Sequence, residues 1–233
     1  MATGSQGVTG MKSATKVVIL GTGGNSIDIL DTINDINSQA SRDIYACVGF
    51  LDDNEALWGA PLHGVKILGP LESAKELRGC YFVNGIGTPS NFWKKESIIL
   101  KTGVPQERFV TIMHPSSSVS RMAKIGVGTV IFQNVTITSN VKIGNHIIIL
   151  PNAVISHDDI IHDYTCITGG VCISGGVKIG KSCYLGSNST IIGNIEIGNY
   201  CLIGMGSVVH KSVPRNSVIV GNPARFLRHT TED

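Results

Sequence analysis

From position 119 to position 209 every sixth residue is aliphatic, without a break: Val119, Ile125, Ile131, Ile137, Ile143, Ile149, Ile155, Ile161, Ile167, Ile173, Ile179, Leu185, Ile191, Ile197, Ile203 and Val209. If about a third of positions were aliphatic by chance, these sixteen hits in one phase would arise with a probability on the order of 10⁻⁸. A helix needs apolar residues every 3.6 positions and a flat sheet every second one, so neither accounts for a period of six. A prism does. Short parallel β segments form its three flat sides, six residues to a side and 18 to a coil, and residues 119–214 supply just over five coils.

The residues between the aliphatic ones fit the same geometry. Glycine follows at 126, 144, 180, 186, 198 and 204, and asparagine stands three places after the aliphatic residue at 134, 140, 152, 188 and 194. Both types tolerate positive φ, which predicts corners at both places. Two places before the aliphatic residue the side chains are mostly small or apolar, as at Val135, Val141, Ala153, Val171, Val177 and Cys201, which marks a second inward position. Asp159 breaks that rule, and a carboxyl turned inward needs bonded partners to offset its desolvation.

The uninterrupted isoleucine column resembles the hexapeptide-repeat acyltransferases. That resemblance implies a left-handed parallel β-helix, assembly as a homotrimer, and acyl-CoA lying in the groove between neighbouring helices.

The first half reads differently. An apolar run at residues 16–20 feeds Gly21-Thr22-Gly23-Gly24-Asn25-Ser26, after which Ile27, Leu30, Ile33 and Ile36 have helical spacing. Further apolar runs at 46–51, 65–68 and 81–86, punctuated by Gly69-Pro70 and Gly87-Thr88-Pro89, predict a small parallel α/β sheet. Asp52-Asp53 close the second strand at the sheet's carboxyl edge, where an acidic pair suits the base or ribose of a nucleotide. The glycine turn lacks the third glycine of a dinucleotide fingerprint.

The expected organisation is therefore a polar tail over 1–15, a mini-Rossmann domain over 16–108, a joint over 109–118, the β-helix over 119–214 and a cap over 215–233. This layout from Lys16 to Arg228 resembles the bacterial sugar-nucleotide N-acetyltransferases that act on UDP-4-amino-4,6-dideoxy sugars and on GDP-perosamine. The matching pieces are Gly21 and Gly24, Phe50-Leu51-Asp52-Asp53, Asn84-Gly85-Ile86-Gly87 and His114-Pro115. The resemblance implies that Gly21, Gly23, Gly24, Asn25, Asp52, Asp53 and Gly87 hold the nucleotide-linked sugar. It departs at Asn25 and Ser26, where the bacillosamine enzyme has histidine and glycine.

Transfer of an acetyl group from acetyl-CoA to an amine needs a base for the amine proton and donors for the tetrahedral oxyanion. Of seven histidines, His157 stands on an exposed hexad position with carboxylates directly after it, Asp158 and Asp159. The family resemblance makes His157 the base and Asp158 its first-choice orienting partner; the inward carboxyl of Asp159, costly unless bonded, makes it the alternative support of the site. Gly175 lies 18 residues on, one coil away, where the family has a glycine serving as oxyanion donor. His162 is read as a surface histidine, and Cys166 stands where the family has a second histidine. Gly176 and the closing run Gly221-Asn222-Pro223-Ala224-Arg225 resemble acetyl-CoA-binding positions, with Arg225 or Arg228 facing a CoA phosphate.

The implied activity is N-acetylation of the 4-amino group of a nucleotide-linked 4-amino-4,6-dideoxy sugar. O-acetylation of a sugar or serine and a non-catalytic β-helix remain as alternatives. Nineteen Lys and Arg against seventeen Asp and Glu, for a net charge of +2, argue against nucleic acid or a bilayer surface as partner. No apolar run reaches the roughly 18 residues of a membrane span. Six cysteines without CxxC spacing predict reduced thiols, no metal site and a cytoplasmic protein.

Overall fold

The computed structural model describes residues 13–230. The tail expected over 1–15 lies outside the described residues save for its last three, and Thr15 already opens the first strand.

Five strands, β1 (Thr15–Leu20), β2 (Tyr45–Leu51), β3 (Pro61–Leu62), β4 (Val65–Gly69) and β5 (Tyr81–Asn84), form one sheet in the order β3-β4-β2-β1-β5. Only the β3–β4 hairpin is antiparallel. Side chains alternate along a strand, so each strand feeds two cores. Val17, Ile19, Phe50, Ile67 and Val83 pack with Ile29, Leu30 and Ile33 of α1 (Gly24–Ala40). Val18, Leu20, Leu51 and Phe82 pack on the other side with Leu71, Ala74, Ile99 and Phe109. The chain leaves β1 for β2 on one side and returns as β5 on the other, so the strand order reverses at the β1–β5 boundary. A crevice opens beyond the carboxyl ends of strands at such a point.

Beyond β5 a short helix α2 (Lys95–Lys101) and the joint lead into the prism. Its first face stacks the pairs beginning at Ser118, Thr136, Val154, Cys172, Thr190 and Val208. The second stacks those beginning at Lys124, Lys142, Ile160, Lys178 and Glu196. The third stacks Ile112–Met113, Val130–Ile131, Ile148–Ile149, Cys166–Ile167, Tyr184–Leu185, Leu202–Ile203 and Ser217–Val220, with Arg225–His229 folded back antiparallel at its end. Along the hexads the segments pair in parallel with those 18 residues on, as in Ile155↔Ile173 and Ile161↔Ile179, until the last coil, where the step shortens to 16 at Ile197↔Val213 and Ile203↔Ile219. From Ile131 to Val209 the second residue of each pair points inward, and this aliphatic column fills the lumen together with Val135, Val141, Ala153, Val171, Val177 and Cys201.

The corners follow one rule with two causes. From Gly128 to Gly206 the residue three after each aliphatic one has positive φ, as at Asn134 (57°), Asp158 (65°) and Tyr200 (59°). The glycines that directly follow the aliphatic residue do not; they are absent from the positive-φ set. At Gly180 an added Cβ would sit 2.5 Å from Asn199 N and 2.7 Å from Gly198 C, so these glycines admit the backbone of the next coil rather than turn the chain. The expectation of a turn-forming glycine at this place is corrected accordingly.

The α/β sheet docks on the outside of the third face, where Val130, Phe132 and Ile148 are buried with Val17, Ile19 and Ile29. That docking decides which face of the prism borders the crevice.

Candidate active site

The crevice at the β1–β5 switch is a cleft of about 420 Å³. Gly21 to Ser26 form one wall, Gly85 to Pro89 with Asn91 the other, and Ile148, Leu150, Cys166, Thr168 and Tyr184 of the third face make the floor. Gly21, at φ 90°, turns the chain out of β1. An added Cβ at Gly85 would lie 2.9 Å from Ser26 Cα, so glycine there is what lets the two walls close to this width. Gly23 caps α1 without a side-chain bond, and a Cβ at Gly23 or Gly24 would meet nothing within 4 Å. The N–H groups of Gly24 and Asn25, at the start of this 17-residue helix, have no protein acceptor among the described residues, the arrangement that suits an anion.

The other predicted residues of this region divide. Asn25 Nδ2 donates to the Gly87 carbonyl at 3.4 Å and so spans the cleft mouth. Asp52 lines the cleft but is engaged, accepting from Thr22 Oγ1 at 2.7 Å and from Asn54 N at 2.9 Å. Asp53 is not part of the cleft: it accepts from Leu71 N at 3.0 Å and pairs with Lys101 Nζ at 2.8 Å. The acidic pair thus splits, because successive residues at a strand end point to opposite sides.

Beneath the floor lies a group that the sequence did not disclose. Lys95 is fully buried, its Nζ 3.6 Å from Cys166 Sγ, and burial pushes its pKa down. It sits in the charged run Lys94-Lys95-Glu96, which reads as a solvated surface until α2 docks on the third face.

His157 and Asp158 occupy the corner between the first and second faces. Asp158 takes the positive-φ place where asparagine is favoured, and this conformation brings its Oδ2 to 2.9 Å from His157 Nδ1. Its Oδ1 accepts from Asn140 Nδ2 at 3.2 Å. The bond from His157, then that from Asn140, holds the Asp158 carboxyl below the usual carboxylate range. Both side chains are more than half exposed. With Nδ1 engaged by the carboxylate, Nε2 is the basic nitrogen. Asp159 does not touch the imidazole through a hydrogen bond; it is fully buried in the lumen, bonded to Val177 N at 2.7 Å.

Gly175 stacks on His157 in the next coil. An added Cβ there would lie 2.5 Å from Cε1 and 2.6 Å from Nε2 of the imidazole, and no protein group among the described residues accepts its N–H. Above it on the same corner come Gly176, Gly193, Asn194, Lys211 and Ser212. A depression at the top of the prism joins His210, Lys211 and Ser212 to Ala224 and Arg225. Gly221, Asn222 and Pro223 form the exposed turn before Arg225, closed by Gly221 N to Ser207 Oγ at 3.1 Å and Ala224 N to Val208 O at 2.9 Å. Arg228 lies on the folded-back strand with its guanidinium on the His229 carbonyl. His162 is exposed on the second face's far corner.

No group of three or more His, Cys, Asp and Glu with metal-ligand placement occurs among the described residues, and no described helix is long and apolar enough to cross a membrane.

Residues 176–211 match the bacterial transferase hexapeptide (six repeats) family. No curated protein sequence matches the chain. Among solved structures the chain is similar to the acetyltransferase domain of PglB from Neisseria gonorrhoeae in complex with acetyl coenzyme A. The TM-score is 0.80 at 20% identity, covering 92% of this chain and 100% of that one. It is also similar to a mutant of perosamine N-acetyltransferase from Caulobacter crescentus in complex with CoA and GDP-perosamine (TM-score 0.78, 22% identity, 93% and 98% covered). A third is WeeI from Acinetobacter baumannii (TM-score 0.68, 25% identity, 92% and 100% covered). The fold so defined is an α/β sheet followed by a left-handed β-helix of hexapeptide repeats. Within it, the chain shares its architecture with the PglB acetyltransferase domain and perosamine N-acetyltransferase.

Proposed function

We propose that the protein is an acetyl-CoA-dependent N-acetyltransferase acting on the 4-amino group of a nucleotide-linked 4-amino-4,6-dideoxy sugar, and that it works as a homotrimer. The carrying observation is the His157 corner, where an imidazole oriented by Asp158 faces a glycine whose N–H is unused. The CoA and GDP-perosamine complexes of proteins with this fold support the choice of ligands.

His157 Nε2 takes the proton of the substrate amine as nitrogen attacks the thioester carbon. Asp158 stabilises the imidazolium that forms, and the Gly175 N–H receives the oxyanion. Collapse of the tetrahedral intermediate expels CoA thiolate and leaves the amide. Direct attack needs no covalent enzyme intermediate, so Cys166 has no nucleophilic part.

Acetyl-CoA runs up the corner from His157 past Gly175, Gly176 and Gly193, which leave a strip without side chains. The Lys211 corner is three coils above His157, about 14 Å at ~4.8 Å per coil. There Lys211 and Arg225 meet the phosphates, and Gly221, Asn222 and Pro223 border the adenosine. The nucleotide sugar lies in the cleft, its diphosphate at the α1 N-terminus against Gly23 and Gly24, with Gly21, Asn25, Asp52 and Gly87 around it.

One prism cannot join these halves. The cleft floor is the third face, and His157 stands at the opposite corner, between the first and second. In the proposed trimer a second copy presents its His157 corner to the cleft, and the opposite placement of cleft and His157 on one prism supports that reading.

Thiol release from acetyl-CoA, measured with UDP-, dTDP- and GDP-linked 4-amino-6-deoxy sugars, tests the reading. Turnover of one amine is expected; absence of turnover on all of them by the assembled protein contradicts it.

A further inference from the structure

The inward position two before the aliphatic residue carries a recurring polar device. Thr129 Oγ1 accepts from the N–H 18 residues on, Ile147, at 3.2 Å and donates to the carbonyl 15 residues on, Gly144, at 3.0 Å. Thr165 repeats it with Cys183 N at 3.1 Å and the Gly180 carbonyl at 3.0 Å. Cys183 makes the donor half, its thiol 3.1 Å from the Gly198 carbonyl. Each ties a buried side chain to the corner of the coil above it.

Asp159 occupies the same kind of position and makes the acceptor half: Oδ1 receives the N–H 18 residues on, Val177, at 2.7 Å. Its Oδ2 is buried, with no hydrogen-bond partner among the described residues. The carbonyl 15 residues on belongs to Ser174, and no donor among the described residues serves it. That carbonyl and the Gly175 N–H are the two ends of one peptide unit. An ionised carboxylate has nothing to donate, whereas a protonated one completes the device that threonine makes elsewhere.

We propose that Asp159 is a positioning residue: it stands inside the coil as a neutral acid, accepts from Val177 N–H on Oδ1 and donates from Oδ2 to the Ser174 carbonyl, fixing the peptide whose N–H is the oxyanion donor. This rests on the reading of Gly175 as that donor. A hydrogen bond on the carbonyl orients the peptide plane and polarises its N–H. Ionisation replaces the bond with a carboxylate set against a carbonyl oxygen, and the peptide is released.

The surroundings favour the neutral form. Asp159 is fully buried, with Val141 below it and Val177 above on the same inward column. Burial, opposed by the backbone N–H groups of Val177 and Ser156, raises its pKa to about 7. Charge reaches it from its own corner, His157 favouring ionisation and Asp158 opposing it. Lys142 and Lys178, its neighbours across the second face, are exposed on the outside.

The test uses Asp159→Asn, which keeps an acceptor and a donor, and Asp159→Val, which continues the column of Val141 and Val177. With the best amine, native kcat is expected to fall as pH rises above about 7. Asp159→Asn keeps kcat within about threefold at pH 6.5 and loses the falling limb. Asp159→Val folds, keeps its KM for acetyl-CoA within about threefold, and loses on the order of 10- to 100-fold in kcat. Native kcat in Asp159→Val, or the native falling limb in Asp159→Asn, overturns the proposal.

Thermal unfolding supplies a readout that needs no substrate. The carboxyl pKa is 3.8 unfolded and about 7 folded, so native stability falls as pH rises between those values while that of Asp159→Asn does not. The Tm advantage of Asp159→Asn is expected to grow from pH 5 to pH 8. A gap independent of pH overturns the neutral acid whatever the enzyme does. A growing gap in a protein that acetylates no amine contradicts the proposed function, and with it the catalytic half of this inference.

Discussion

Replacing Gly175 with alanine adds one methyl group at the point where the proposed oxyanion donor meets His157, the proposed base. The new Cβ would lie 2.5 Å from His157 Cε1, 2.6 Å from Nε2 and 2.9 Å from Nδ1. Carbon contacts settle near 3.5 Å or more, so the ring must retreat by about 1 Å. The imidazole is the free end of an exposed side chain, so it yields, and in yielding leaves its 2.9 Å bond to Asp158. Gly175 has no positive φ and the lumen is untouched, so stability is preserved. A misplacement of about 1 Å costs on the order of 100-fold in rate, equivalent to about 2.7 kcal/mol at the transition state. The assay is thiol release from acetyl-CoA, paired with thermal unfolding: kcat/KM is expected to fall about 100-fold while Tm stays within about 2 °C. Gly180→Ala is the converse control, since its Cβ meets backbone of the next coil and costs about 1–3 kcal/mol of stability. Activity of Gly175→Ala within threefold of native would refute the proposed roles of His157 as base and Gly175 as donor.

Other outcomes follow from the same geometry. Asp158→Asn keeps a residue suited to positive φ but removes the carboxylate from Nδ1; kcat is expected to fall about 10-fold or more with the fold intact, read by pH-rate profiles and circular dichroism. Lys95→Met removes a cation whose only hydrogen-bond partner among the described residues is the Cys166 thiol and is expected to stabilise the protein by about 1–4 kcal/mol at pH 7. Because burial depresses the folded pKa of Lys95 below the unfolded 10.5, native stability rises with pH toward that value, and the Tm gap should narrow as pH 10 is approached. Gly24→Phe fills the cleft from a position where a Cβ meets nothing. Co-expressed with His157→Ala in equal amounts, it should recover about a quarter of native activity through mixed trimers, whereas two inactive proteins that never complement would show that one copy holds the whole site.

The prism was legible because one inward residue in six must be aliphatic on every side of every coil, and the pattern survives any surface change. Strand-turn-helix at Gly21–Ser26 was legible for the same local reason. The glycines after the aliphatic residue were read for the wrong property, since close approach of a neighbouring coil and a left-handed turn both call for glycine, and sequence alone does not separate them. The hexad phase puts Asp159 at an inward place, but the preference for Asp158 as the partner of His157 comes from the family resemblance, and the phase alone leaves both aspartates open. Asp53 and Lys95 were not legible: the first leaves the cleft through pairing with Lys101, and the second enters the interior only when α2 docks on the third face. These are tertiary choices with no local pattern. The separation of the cleft and His157 onto opposite sides of one prism likewise emerges only when the three faces are assembled.

The most direct test of acetyl transfer by His157 is the mass spectrum of the product made from acetyl-CoA and the best nucleotide-linked amino sugar, before and after mild alkali, by native protein and by His157→Ala. A single added acetyl group that survives alkali as an amide, and is lost in the variant while its fold persists, is the predicted result. An alkali-labile ester, or an undiminished amide from His157→Ala, would contradict it.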